Sequence, residues 1–112
     1  MSQSPELIIE PESLEKILGD ENLLIIDVCQ ASTYEQIHVP GAVHVNPAEL
    51  VSGIPPASGK LPDITQLERL FSRIGYNPDK HIVVYDDEGG GWAGRFIWTL
   101  DLIGHRHYSY LN

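Results

Sequence analysis

The chain has 112 residues, of which 42% are hydrophobic and 21% charged, a composition typical of one globular domain and unlike that of a disordered tail, a collagen or a membrane protein. Sixteen Asp and Glu against seven Lys and Arg give a net charge of −9, so we expect no nucleic-acid partner and no membrane partner, since both require positive charge. The single cysteine, Cys29, cannot form an intramolecular disulfide, and no signal segment follows Met1. These features predict a cytoplasmic protein.

The first half of the chain predicts strands that alternate with helices. The continuous apolar run at 23–28 is typical of a strand covered on both faces of a parallel sheet. Ser32 and Glu35 have the spacing of a capping box, which predicts that a short helix begins there and ends before Val39. The prediction for this half is strands at 7–9, 23–28 and 42–46, with helices at 11–18 and 32–38.

The second half continues the alternation. Residues 53–63 hold three prolines and two glycines, so we expect an irregular connection there. Asp63 is a good N-cap and Gly75 a good C-terminal stop for the helix that follows. The prediction for this half is helices at 64–74 and 92–103, with strands at 81–86 and 107–111. Such alternation implies a parallel sheet with helices on both faces, and ligands bind at the carboxyl ends of its strands.

A glycine-rich loop follows the fourth predicted strand. Gly89 to Gly94 spells G-x-G-x-x-G, the fingerprint of a dinucleotide site. That fingerprint belongs to the first strand and requires an acid about twenty residues later, whereas only eighteen residues follow Gly94. Asp86 and Asp87 also resemble the acidic pair that holds a divalent cation in receiver domains, but that pair lies near the start of its domain. We therefore expect a solvated acidic loop, with no cofactor and no metal.

Residues 26–42 resemble the rhodanese signature, in which a strand ends in Asp-Val and a helix leads to Gly-His-Ile-Pro-Gly-Ala. Ile37 stands where the family usually has the glycine before the histidine. The likeness runs nearly end to end, and it is to the N-terminal half of a tandem-domain thiosulfate sulfurtransferase. The signature residues, expected to be structural, are Asp27, His38, Pro40, Gly41 and, in the Gly-Trp-Ala-Gly-Arg segment, Arg95.

The resemblance implies a fold and a place in a larger protein. The fold is α/β and rhodanese-like, with a central five-stranded parallel sheet, helices on both faces and a last helix missing after Asn112. Residues 1–112 form a single domain, the N-terminal one of a longer two-domain protein, and the partner is its C-terminal catalytic rhodanese domain. The family transfers sulfane sulfur from thiosulfate to cyanide or another thiophilic acceptor through a cysteine persulfide.

The catalytic cysteine of the family directly follows the fourth strand, and Asp86 stands at that position here. A carboxylate cannot carry a persulfide, so this chain is expected to hold no catalytic residue. A negative charge about 4 Å from an anionic substrate also costs roughly 4 kcal/mol at an effective dielectric of 20, which disfavours thiosulfate. The counterpart of the catalytic loop is Asp86, Asp87, Glu88, Gly89, Gly90 and Gly91.

Cysteine and histidine side chains offer other chemical interpretations. Cys29 follows a strand, but a cysteine phosphatase would need Arg six residues later, where Glu35 stands, so we expect a packed and inert thiol. His38 is expected to make a structural hydrogen bond. His105 and His107 could face the same way, but a metal site needs at least a third ligand.

The sequence is also compatible with a second function. The chain could be a stand-alone regulatory or protein-interaction module, without enzymatic activity, whose acidic loop binds a basic partner or a cation. Arg95 is expected to contact either an acid of that loop or a partner domain.

Overall fold

Five parallel strands form one sheet in the order β1-β5-β4-β2-β3. The structure is a computed structural model that describes residues 7–52 and 60–112. The strands are β1 Ile8–Ile9, β2 Leu23–Asp27, β3 Val43–His44, β4 His81–Tyr85 and β5 Tyr108–Leu111, and the helices are α1 Pro11–Ile17, α2 Ala31–Gln36, α3 Ile64–Ile74 and α4 Gly91–Leu102, with a 3₁₀ turn at Pro47–Leu50. This confirms the α/β fold with its five-stranded parallel sheet.

The two faces of the sheet carry separate cores. The larger core packs α3 and α4 against one face, with Leu70, Phe96 and Leu100 buried against alternate strand residues such as Ile26 and Val84. The smaller core lies on the other face and consists of Leu14, Ile25, Ala42 and Val83. Both faces of β2 are therefore covered, as its continuous apolar run predicts.

The helix caps differ in part from the prediction. Asp63 caps α3 as expected, since its carboxylate accepts the N–H of Gln66 at 2.8 Å. The capping box predicted at Ser32 and Glu35 is wrong: α2 begins one residue earlier, and its N-cap makes no side-chain bond. A capping box occurs instead at the 3₁₀ turn, where Glu49 accepts the N–H of Asn46 at 2.9 Å.

Several strands are shorter than predicted. The third strand covers only Val43–His44, and the fourth ends at Tyr85, so that Asp86 is the first residue of the following loop. The irregular connection predicted at 53–63 falls largely outside the described residues, and the part at 60–63 has no regular structure. Among residues 7–52 and 60–112, no helix has the length and apolar character needed to cross a membrane.

The register of the sheet places the ends of three strands side by side. Asp27 at the end of β2 pairs with Tyr85 at the end of β4 and with His44 at the end of β3. The loops that leave these three strands therefore meet at one carboxyl edge. This edge is where ligands bind in open α/β sheets.

Candidate functional site

A buried carboxylate lies at the centre of the carboxyl edge. Asp27 is 0% exposed. Its Oδ1 accepts the backbone N–H of Cys29 at 2.8 Å, and its Oδ2 accepts the hydroxyl of Tyr85 at 2.7 Å. Because a buried carboxylate is costly unless hydrogen bonds replace its water, these contacts are a condition for the fold.

The hydroxyl of Tyr85 extends this network to the next loop. It donates to Asp27 and accepts the backbone N–H of Val39 at 3.0 Å. Burial and the bond to the Asp27 carboxylate both raise the pKa of Tyr85, so the phenol stays protonated and keeps donating. The turn at Gly41, whose φ is +83°, follows directly and leads into β3. One phenol thus joins β2, β4 and the turn that contains Pro40.

A second carboxylate organises the glycine loop. Asp86 Oδ1 accepts the N–H groups of Glu88 at 3.1 Å and Gly90 at 2.9 Å, while Oδ2 accepts the N–H of Ala93 at 2.7 Å. Gly89 and Gly90 have φ of +77° and +95°, which lets the loop curl around the carboxylate. Since Ala93 lies in the first turn of α4, the carboxylate also caps that helix.

The loop amides therefore form a cradle for an anion, and the anion is supplied by the chain itself. Backbone nests of this kind bind anionic groups in many proteins. Here the carboxylate of Asp86 fills the cradle from within, at the place where the resemblance puts a catalytic cysteine. The equivalence of residues 86–91 to a catalytic loop stays a prediction.

The other two acids of the loop face the solvent. Asp87 and Glu88 are exposed, and Glu88 accepts a long bond, 3.3 Å, from the amide of Gln30. This contact joins the loop after β4 to the start of α2. Three carboxylates thus cluster at the carboxyl edge, so the surface there is strongly negative.

Arg95 contacts the 3₁₀ turn and a neighbouring indole. Its Nε donates to the carbonyl of Leu50 at 3.1 Å. The guanidinium carbon lies 4.7 Å from the ring centroid of Trp98, within the range of a cation–π contact. The first contact ties α4 to the segment that follows β3.

Cys29 is packed beneath the same edge. It is 3% exposed. The pKa of its thiol is raised to about 12, and the largest cause is burial. The hydrogen bond to Asp27 and the negative charges of Asp27, Asp87 and Asp86 raise it in the same direction. At neutral pH the thiolate, which is the nucleophilic form, is almost absent. This agrees with the expectation of an inert thiol.

The histidines take structural positions. A ring nitrogen of His38 lies 2.7 Å from the carbonyl oxygen of Tyr34, and the two rings stack with centroids 3.9 Å apart. His105 is buried between the Tyr76 hydroxyl and the His107 carbonyl, each 3.0 Å from a ring nitrogen. Within the part of the chain that the structure describes, no group of three or more His, Cys, Asp or Glu is arranged to hold a metal ion.

Sequence reasoning missed three residues of this edge. Tyr85 joins two loops, Tyr34 stacks on two histidine rings, and His44 places a ring nitrogen 2.8 Å from the carbonyl oxygen of Cys29. Tyr85 and His44 end strands, whereas Tyr34 lies in α2. Their contacts depend on how these elements pack together, which no local pattern in the sequence indicates.

Comparison with known proteins identifies the family. The family model described as a rhodanese-like domain matches residues 10–112. The chain belongs to the rhodanese-like domain family. Thiosulfate sulfurtransferases of Pseudomonas aeruginosa and Azotobacter vinelandii are 53% and 50% identical to it over 106 residues, which are 95% of this chain.

A solved structure agrees with this assignment. The crystal structure of a 3-mercaptopyruvate sulfotransferase from Escherichia coli superposes on 96% of this rhodanese domain with a TM-score of 0.84 and 27% identity. The matched region is 45% of that chain. The domain spans only 39% of the length of each of the two bacterial thiosulfate sulfurtransferases. Both kinds of relative are thus much longer than the matched region.

Tyr85→Phe should destabilise the domain by about 1–3 kcal/mol, because it leaves a buried carboxylate oxygen and the Val39 amide without a partner. Tyr34→Phe is the matched control, since its hydroxyl makes one bond, 3.0 Å to the carbonyl of Ala42. Urea unfolding measures both variants. An equal or smaller loss for Tyr85→Phe would contradict the role of the network.

Alkylation of Cys29 should be slow in the folded protein at pH 8. With the pKa raised from 9.0 to about 12, the thiolate fraction is about a thousandfold lower than in the unfolded chain. The native rate with iodoacetamide should still rise with pH above 9, where the rate for the urea-unfolded chain levels off. Because Cys29 is the single thiol, mass spectrometry reports it without background, and equal rates at pH 8 would refute the prediction.

Proposed function

We propose that this chain is the non-catalytic N-terminal rhodanese domain of a thiosulfate sulfurtransferase, and that it packs against a C-terminal catalytic rhodanese domain. The observation that carries the proposal is the carboxylate of Asp86 in the amide cradle of the glycine loop. The single buried thiol supports a cytoplasmic setting for such a protein.

Sulfur transfer in the proposed full enzyme takes place on a cysteine of the second domain. Its thiolate attacks the sulfane sulfur of thiosulfate, and sulfite leaves with the electron pair of the broken S–S bond. The resulting persulfide is then attacked by cyanide or another thiophilic acceptor. Thiocyanate leaves in the cyanide case, and the thiolate is regenerated without a net redox change.

The carboxyl edge of the present domain opposes the first of these steps. The carboxylate of Asp86 cannot form a persulfide. Its oxygens already accept the three N–H groups that would otherwise stabilise a persulfide anion. A carboxylate about 4 Å from one charge of thiosulfate costs roughly 4 kcal/mol at an effective dielectric of 20, or on the order of a thousandfold in affinity. Asp87 and Glu88 add to this repulsion.

Cys29 does not replace the missing nucleophile. Its thiol is buried, and its raised pKa, about 12, keeps it protonated. The backbone N–H of Cys29 also donates a hydrogen bond to Asp27. The geometry therefore supports a domain that contributes packing and shape to its partner.

The 112-residue chain should form no thiocyanate from thiosulfate and cyanide, and the Cys29→Ser variant should behave in the same way. The reason is that no thiolate lies in the loop cradle. A colorimetric thiocyanate assay, with an active sulfurtransferase as positive control, measures this. Turnover by the wild-type chain that Cys29→Ser abolishes would make Cys29 a nucleophile and overturn the proposal.

The acidic loop should remain inactive even with a cysteine in place. In Asp86→Cys the charges of Asp87 and Glu88 still repel thiosulfate, so we expect little persulfide until these two residues are also changed to Asn and Gln. Mass spectrometry after exposure to thiosulfate should show at least about tenfold more persulfide in the triple variant, since one screened charge contributes on the order of 1 kcal/mol or more. Equal yields would show that repulsion does not matter.

A further inference from the structure

The solvent face of α4 lacks the polar residues that such a face ordinarily carries. The exposed positions of this helix are Gly91, Gly94, Trp98 and Leu102, and we call them the α4 stripe. Trp98 is 44% and Leu102 53% exposed. A helix at the surface of a globular domain normally presents charged or polar side chains there, as α3 does with Glu68, Arg69, Ser72 and Arg73.

Nothing within residues 7–52 and 60–112 requires glycine at position 94. It lies in the interior of α4, and its φ is not positive. In the part of the chain that the structure describes, and apart from its chain neighbours and the adjoining backbone of α4, no atom lies within 4 Å of a Cβ built at this position. Glycine in a helix interior costs about 1 kcal/mol relative to alanine. Its advantage is that another backbone or ring can approach the helix closely.

The indole beside it is already held in place. The guanidinium of Arg95 lies 4.7 Å from the Trp98 ring centroid, so the ring has less freedom to lose when something packs on it. Interface centres are depleted in charge and enriched in tryptophan and arginine. In a chain of net charge −9, an exposed stripe without any charged residue is a marked departure.

We propose that the α4 stripe docks against the second rhodanese domain of the same polypeptide, which deepens the proposed function and rests on it. The bacterial thiosulfate sulfurtransferases to which the chain is 53% and 50% identical are long enough to hold such a domain, because the chain spans 39% of them. The docking surface of the partner is uncharged and apolar, and it approaches the α4 backbone at Gly94. Since α4 begins directly after the acidic loop, docking here places residues 86–90 at the rim of the interface.

The test uses the full-length polypeptide that carries this chain. In the domain alone Trp98 is exposed while Trp92 is half-buried, so hydroxyl-radical footprinting with mass spectrometry compares two indoles in one molecule. Docking should reverse their order, with Trp98 oxidised about threefold or more slowly than Trp92, because a packed interface excludes water.

A matched pair of variants separates docking from folding. Gly94→Gln adds bulk to the α4 stripe while improving helix propensity, and Ile64→Gln places the same residue at an exposed position of α3. Gly94→Gln should restore fast oxidation of Trp98 and lower the thermal midpoint of the full-length protein, whereas Ile64→Gln should change neither. Fast oxidation of Trp98 in the unmodified protein, or continued protection in Gly94→Gln, would overturn the docking proposal.

Two further outcomes are distinguishable. Protection of Trp98 in a particle of twice the monomer mass, lost together with dimerisation in Gly94→Gln, would make a second copy of the chain the occupant and would also overturn the proposal. Thiosulfate:cyanide activity of the full-length protein that survives Cys29→Ser supports the proposed function whatever Trp98 shows. Activity that Cys29→Ser removes would contradict that function independently of docking.

Discussion

The arrangement of the carboxyl edge depends on one buried charge. Asp27 is fully enclosed, and its carboxylate has to be stabilised by hydrogen bonds because water cannot reach it. The Cys29 amide and the Tyr85 hydroxyl supply these bonds, and Tyr85 in turn fixes the amide of Val39. The backbone carbonyl of Asp27 also accepts the N–H of Val45 at 2.8 Å. The loops after β2 and β4 and the turn before β3 therefore cannot move independently.

The carboxylate of Asp86, which follows β4, is likewise stabilised by hydrogen bonds, but it lies nearer the surface. Asp86 gathers three loop amides, one of them from the first turn of α4. Loop amides gathered in this way bind an anion, and here the chain provides its own in the carboxylate of Asp86. The carboxylate also places a negative charge at the N-terminus of α4, where the helix dipole favours it. Under the proposed function, this one carboxylate accounts both for the absence of a persulfide and for the shape of the loop.

The sequence predicted the fold because its strongest signals are local. The apolar run of β2, the Asp63 cap and the Gly75 stop of α3 each act within one element, and each is confirmed. The capping box predicted at Ser32 and Glu35 is wrong because the helix starts at Ala31, so that Ser32 already lies inside it. The Tyr85 bridge could not be predicted, since residues 58 positions apart meet only through the register of β2 and β4. Chemistry at strand ends is a property of the sheet rather than of any one segment.

The glycines of the loop and of α4 illustrate why identical residues require different explanations. Gly89 and Gly90 adopt positive φ, so their presence follows from the turn that brings amides to Asp86. Gly94 adopts an ordinary helical conformation in open space, and no contact within the described residues accounts for its cost. Contacts within the described residues also do not account for the uncharged exposed face that Gly94 shares with Trp98. Under the proposed function, the domain contributes through what its surfaces contact, and the features of α4 that the described residues leave unexplained are those that a neighbouring domain would require.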